Sequence, residues 1–249
     1  QELMARIAGG KIHGLIGLGL SDAQVKWIRA HVLRVPMVGF AQAPPHLLWY
    51  SPLDIVEMAV PLLVSRGCGC IAYWQTLLSP GQNAKAPLEL SIRERFLELL
   101  REHNRPFYPH FYAVHHLLEN RAGLTSHEMG YRVALEFFSG EMSPHPDGII
   151  IAEDTMTVGA LAAMRHLGIV PGRDVHIVSH ANAGSPLLFG AEKELVLVEY
   201  DTADLVRELF DMLRCLWDGE ALREDPKRVL PHLRDEVARN EIALPKLVS

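Results

Sequence analysis

The chain predicts an α/β fold built on parallel strands, and three features of the sequence carry that expectation. Short apolar, β-branched runs alternate with segments of helical period along the chain. Turn and cap residues mark the junctions between them. One stretch, DGIIIAEDTMTVGALAAMRHLGIVPGRDVHIVSHAN at 147–182, reads as strand, helix and strand in succession. Ile149, Ile150 and Ile151 form its first strand after the turn Pro146-Asp147-Gly148. Asp154 or Thr155 can cap the helix, in which Met156, Gly159, Ala160, Ala163, Met164 and Leu167 recur at helical spacing. Gly168 ends that helix, Pro171-Gly172 turns the chain, and Val175 to Val178 opens the next strand. Two strands joined in this way make a right-handed parallel βαβ unit. Ligands bind such sheets beyond the carboxyl ends of the strands. Here those ends are Ala152-Glu153-Asp154 and Ser179-His180-Ala181-Asn182.

The other elements follow the same logic in chain order. Apolar runs predict strands at residues 14–18, 36–40, 71–74, 112–115, 148–152, 175–179, 195–199 and 229–233. Helical periods predict helices near 23–32, 53–65, 92–102, 126–138, 155–167 and 202–217. Ser126, followed by Met129, Val133 and Phe137, gives a capped start and an apolar stripe. Pro61 should kink the second helix or start it afresh, because proline removes a backbone donor and crowds the preceding turn. SPGQNAKAP at 79–87 reads as the clearest flexible loop. There are no tandem repeats.

Composition narrows the function. With 249 residues, 49% of them hydrophobic and 22% charged, the chain is long enough for a well-buried core in one large domain or two lobes. A net charge of -6 with scattered basic residues argues against nucleic-acid binding by this segment, since phosphate contacts need clustered Lys and Arg. No apolar run approaches the ~20 residues of a membrane span, and no basic-then-apolar signal opens the chain. Cys68, Cys70 and Cys215 are odd in number and read as reduced thiols of a cytosolic protein.

Catalytic signatures are absent. The thirteen histidines invite a metal reading, with His110, His115 and His116 around one strand and His145 before another. Adjacent histidines on a strand point to opposite faces, so His115 and His116 do not simply share an ion. The chain carries no His-Glu-x-x-His pair, nucleophile elbow or phosphate loop. Gly17-Leu18-Gly19 lacks the third glycine of a dinucleotide fingerprint. The chain is therefore read as a non-enzyme, without metal or cofactor.

The same motifs resemble a known family. Glu153-Asp154, Gly159-Ala160-Leu161, Gly168-Ile169-Val170-Pro171 with Asp174-Val175, and His180-Ala181-Asn182 match in order the effector-binding domain of LacI/GalR-type transcription regulators. That domain shares its fold with type I periplasmic sugar-binding proteins. Lys11 to Ile16, Val35 to Val38, Ser65 to Tyr73 and Val196 to Asp201 extend the likeness over nearly the whole chain. The resemblance implies two lobes of parallel sheet flanked by helices. Residues 1–50 with 202–218 would form the first lobe, and 51–201 with 219–249 the second. The chain would cross between them near Ser51, Asp201 and Asp218-Gly219. The family's opening strand, helix and strand, and the DNA-binding helix-turn-helix before them, have no counterpart, so the first lobe is expected to be partial.

The resemblance also implies a ligand cleft between the lobes, but its contacts carry over unevenly. The family's helix arginine falls beside Ile92, which leaves Arg93 and Arg95 as candidates for a hydroxyl or carboxylate ligand. Glu153 stands where the family has Asn, Ala181 where it has the Asp that grips sugar hydroxyls, and Tyr200 where it has Gln. The expected ligand-binding set is Trp49, Tyr73, Arg93, Arg95, Glu153, Asp154, His180, Asn182 and Tyr200, with Trp49 as the aromatic platform. The effector is expected to be a sugar-like or charged metabolite; plain pentoses and hexoses should bind weakly or not at all, and a charged or aromatic-bearing compound is favoured.

The expected protein is a cytoplasmic, homodimeric regulator that senses a small effector and acts on DNA through a segment outside this sequence. It has no membrane contact. Helix 23–32, helix 53–65 with Met58 and Leu62, and segment 187–195 are the expected dimer faces. The alternative is a periplasmic solute-binding protein of the same fold.

Overall fold

In strand Gly148–Ile151 every residue is buried, and successive isoleucines enter different cores. Ile149 and Ile151 join one apolar cluster and Ile150 the other. Alternation without a polar face is the mark of a strand covered by helices on both sides. In the computed structural model of the chain, the described residues are 6, 11–18, 20, 22–31, 35–40, 47–77, 87–116, 123–140, 143–191, 193–222 and 227–234. The expected loop at 79–86 lies outside them, and so do the side chains of His115 and His116.

The chain divides into two compact units, residues 1–51 with 201–230 and residues 52–200 with 231–249. In the first, β1 (Leu15–Leu18), β2 (Met37–Phe40), β3 (Leu47–Trp49) and β9 (Lys227–Arg228) form a parallel sheet in that order. Helix α1 (Asp22–His31) links β1 to β2. Helix α6 (Thr202–Trp217) buries Leu209, Met212 and Leu213 against Val38 and Leu48. Asp201 caps it, accepting the N–H groups of Ala203 at 2.8 Å and Asp204 at 3.0 Å. Because β9 pairs with β3, residues up to Leu230 stay with this unit. The last change of unit therefore falls at Leu230–Pro231 rather than at Asp218-Gly219.

The second unit holds a six-stranded sheet, with β4 (Ile71–Leu77), β5 (Tyr112–His116), β6 (Gly148–Ile151), β7 (His176–Asn182), β8 (Val196–Tyr200) and β10 (His232–Arg234). Their spatial order is β10-β8-β7-β6-β4-β5, parallel except for β10 against β8. Helices α2 (Pro52–Ser65) and α3 (Pro87–Glu102) cover one face with Ile55, Val60, Leu63 and Phe96. Helices α4 (Ser126–Ser139) and α5 (Asp154–Leu167) cover the other with Val133, Phe137, Met156 and Ala160. The fold class expected from the sequence is the one observed.

Local details differ from the sequence reading where short-range hydrogen bonds decide. One helix spans Pro52–Ser65 with Pro61 inside it, and no second start occurs there. The cap of α4 is Thr125 rather than Ser126. Thr125 Oγ1 accepts the Glu128 N–H while Glu128 Oε2 accepts the Thr125 N–H, a reciprocal capping box. The cap position of α5 is Glu153, one residue before the expected Asp154 or Thr155, and its side chain makes no capping bond. Gly168 closes α5 at φ 74°, a conformation that side chains resist. β3 was not foreseen, and of the strand expected at 229–233 only His232 and Leu233 are in a strand, β10, while β9 ends just before it at Arg228.

The amino edge of the six-stranded sheet is tied by Asp147. Its carboxylate accepts the backbone N–H of Gly69 at 2.8 Å and of Cys70 at 2.8 Å, joining the turn before β4 to the start of β6. Burial pushes the Cys68 thiol up to about 12, with the Asp147 charge adding to it, so this cysteine stays protonated and unreactive.

Candidate functional site

The strand order locates the site before any side chain is considered. From β4 the chain steps outward to β5, then returns across β4 to β6 and continues outward through β7 to β8. The order reverses between β4 and β6, and open α/β sheets hold ligands in the crevice beyond the carboxyl ends at such a reversal. Beyond β6 that edge is Ala152-Glu153-Asp154, and at the end of β4, past its pairing with β6, it is Gln75 and Thr76. The carboxyl ends of β7 and β8 add His180 and Tyr200.

The edge concentrates buried polarity. Asp54, Gln75, Thr76 and Asp154 are all buried polar residues, and Tyr200 is 2% exposed. The Tyr200 hydroxyl donates to Asp54 Oδ2 at 3.4 Å, joining β8 to the first turn of α2. The His180 ring lies 5.5 Å from the Tyr200 ring. Burial lowers the His180 pKa, and the nearby Asp154 charge opposes that shift. Asp154 Oδ1 accepts the Thr155 N–H at 2.8 Å. Glu153 Oε1 accepts the Thr155 hydroxyl, and Glu153 Oε2 is buried with no hydrogen-bond partner. Thr157 and Ser179 share a buried hydroxyl hydrogen bond of 2.7 Å, which fixes the start of α5 against β7. These contacts tie α2, α5, β7 and β8 together at the edge, where Asp54, Glu153 and Asp154 bring three carboxyl groups.

Of the nine residues expected at the site, Glu153, Asp154, His180 and Tyr200 come together here. Asn182 follows on the same strand and is exposed, its carbonyl accepting the Ser185 N–H at 2.9 Å. Tyr73 lies behind the edge. Its ring is fully buried against Tyr112 and Phe96, and its hydroxyl donates to Gln75 at 2.8 Å. The arginines are engaged elsewhere. Arg93 stands over the Phe107 ring at 5.4 Å, and Arg95 pairs with Glu57, Glu98 and Glu102 at 3.1–3.3 Å. Trp49 belongs to the first unit, where the Arg228 guanidinium lies over its ring at 5.7 Å. Asp54 was missed. Its sequence signal was an acid in the first turn of a helix opened by Pro52, which reads as ordinary helix-end chemistry.

Among the described residues no group of His, Cys, Asp and Glu is placed to hold a metal ion. No described helix is long and apolar enough to cross a membrane.

The family model described as a periplasmic binding protein-like domain matches residues 60–235, and the chain belongs to that family. Within it, the fold is shared with solved LacI-family transcription regulators. A regulatory protein of the LacI family from Chloroflexus aggregans superposes with a TM-score of 0.73 at 20% identity, over 93% of this chain and 78% of that one. The transcription regulator CcpA of Lactococcus lactis gives 0.71 at 18% identity, over 94% and 80%. The lactose repressor bound to an anti-inducer gives 0.69 at 19% identity, over 93% and 80%. No curated protein matches the chain in sequence.

Proposed function

We propose that this chain is the ligand-sensing regulatory domain of a LacI-type transcription regulator. It binds a small metabolite against the carboxyl edge of the six-stranded sheet and passes the occupied state to a DNA-binding segment encoded upstream. The observation that carries the reading is the polar group Asp54, Glu153, Asp154, His180 and Tyr200 at the strand-order reversal of a LacI-type fold. It supplies hydrogen-bonding groups on a rigid frame and no nucleophile-base pair, which suits binding rather than catalysis. Regulation then follows from differential affinity: a ligand that prefers one conformation shifts the population toward it. The cytoplasm is the compartment this role requires.

The working unit in this reading is a homodimer. Phe189 is 86% exposed and Leu187 42%, both on the segment between β7 and β8. An apolar surface of this kind is the usual core of a subunit contact. Met58 and Leu62 are half-buried against the core, so they add less to such a contact than the sequence suggested.

The reading is tested with the full-length regulator and the DNA flanking its own gene. Mobility-shift assays should show specific binding that a small metabolite changes. Absence of sequence-specific binding, with or without metabolites, would remove the regulatory role.

A further inference from the structure

We infer that the ligand received at this edge carries a protonated amino nitrogen, held by Glu153 and Asp154; the inference rests on the sensing role proposed above. Glu153 and Asp154 stand at the carboxyl end of β6, where the strand order reverses. Neither makes an ion pair with any described residue. Glu153 Oε2 is enclosed by protein without a donor, and a buried acceptor left unmade is costly unless something supplies the hydrogen bond. The start of α5 contributes a partial positive charge and one N–H, from Thr155 to Asp154, but no full countercharge.

The neighbouring groups sharpen the charge. Asp54 reaches the same edge through Tyr200 and adds a third carboxylate. Burial favours the neutral form of His180, so it does not offset the acids at neutral pH. Arg93 and Arg95, the cations expected to hold an anionic ligand, are committed to Phe107 and to three glutamates. Ionised carboxylates only accept hydrogen bonds, so Glu153 and Asp154 themselves offer neither a donor nor positive charge. An ammonium group brings both, with donors that suit Glu153 Oε2 and the Asp154 carboxylate. A neutral hydroxyl brings a donor without charge, and a carboxylate brings neither donor nor positive charge.

The test compares matched probes that differ in one group. Thermal melting of the chain is followed with glucosamine, glucose and glucuronate, and with putrescine, butanediol and succinate, each at millimolar concentration. The amines alone should raise the melting temperature. Titration calorimetry of the best amine should show affinity falling at least about tenfold in Glu153→Gln, as loss of one member of a desolvated charge pair requires. Asp154→Asn is the second variant, and circular dichroism confirms that each is folded. Stabilisation by the neutral or anionic members to the same extent, or unchanged affinity in both folded variants, overturns the inference and leaves the sensing role standing. Failure of every probe of every charge counts against both.

Discussion

A Cβ on Gly159 would lie 1.8 Å from the carbonyl oxygen of His127. The contact is reciprocal, since a Cβ on Gly130 would lie 2.0 Å from the carbonyl oxygen of Met156. α4 and α5 therefore meet backbone to backbone, with no flexible side chain able to give way. This crossing sets the position of α5, and with it Glu153 and Asp154. Gly159→Ala should lower stability by ~3 kcal/mol or more, at or beyond the upper end of ordinary overpacking costs. Gly168→Ala, with nothing within 4 Å of its Cβ, should cost only the ~1–2 kcal/mol of a left-handed backbone. Urea denaturation midpoints of the two variants check the order.

Asp147 satisfies two backbone donors at the opposite edge of the same sheet. Asp147→Ala leaves the Gly69 and Cys70 N–H groups to half-buried surroundings and should cost ~1–3 kcal/mol. Asp147→Asn retains one acceptor and should recover part of that loss. Equal stability of wild type and Asp147→Ala in denaturant would show that the turn does not depend on this carboxylate.

Burial lowers the folded-state pKa of both His176 and His180 below the ordinary histidine value of 6.5. In the window between the two states' values, the unfolded chain binds more protons than the folded one. The contribution to stability is thus fully present above 6.5 and is lost as pH falls below it, until the folded pKa is passed. Thermal melts between about pH 8 and about pH 5 should show the loss on the acid side. His180→Gln should flatten part of it. A melting temperature that rises on acidification through this window would contradict the assignment.

Much of this architecture is legible in the sequence because parallel strands covered on both faces are continuous apolar runs. The β6-α5-β7 unit is the clearest case: β-branched residues, a helical stripe and Gly168 all specify the same structure. β3 is only Leu47-Leu48-Trp49 after Pro44-Pro45, too short to show a period. Helix caps shifted by a residue because Thr125 with Glu128 outcompetes Ser126, a choice made by geometry that spacing alone leaves open. At the candidate site, Glu153, Asp154 and His180 were readable as strand ends, and Tyr200 through the family resemblance. The arginines were not, because Arg95 is held by Glu57 from another helix as well as by its own neighbours. Asp54 comes to Tyr200 across 146 positions of sequence, which no local pattern reveals.

Phe189→Asp places a charge on the most exposed large apolar side chain of the described residues. If the segment between β7 and β8 forms the dimer contact, sedimentation of the full-length protein at micromolar concentration should shift from twice the monomer mass to the monomer. Unfolding should be little changed, because the side chain is in solvent within one protomer. A variant that remains dimeric places the contact elsewhere.

The most direct test of the account is amide hydrogen exchange of the full-length protein with and without the compound that gives the largest thermal shift. The account predicts protection concentrated at residues 152–157 and 180–183, with Glu153→Gln abolishing it. Protection confined to the helix segment 92–98 around Arg93 and Arg95, with residues 152–157 unchanged, would contradict the placement of the site.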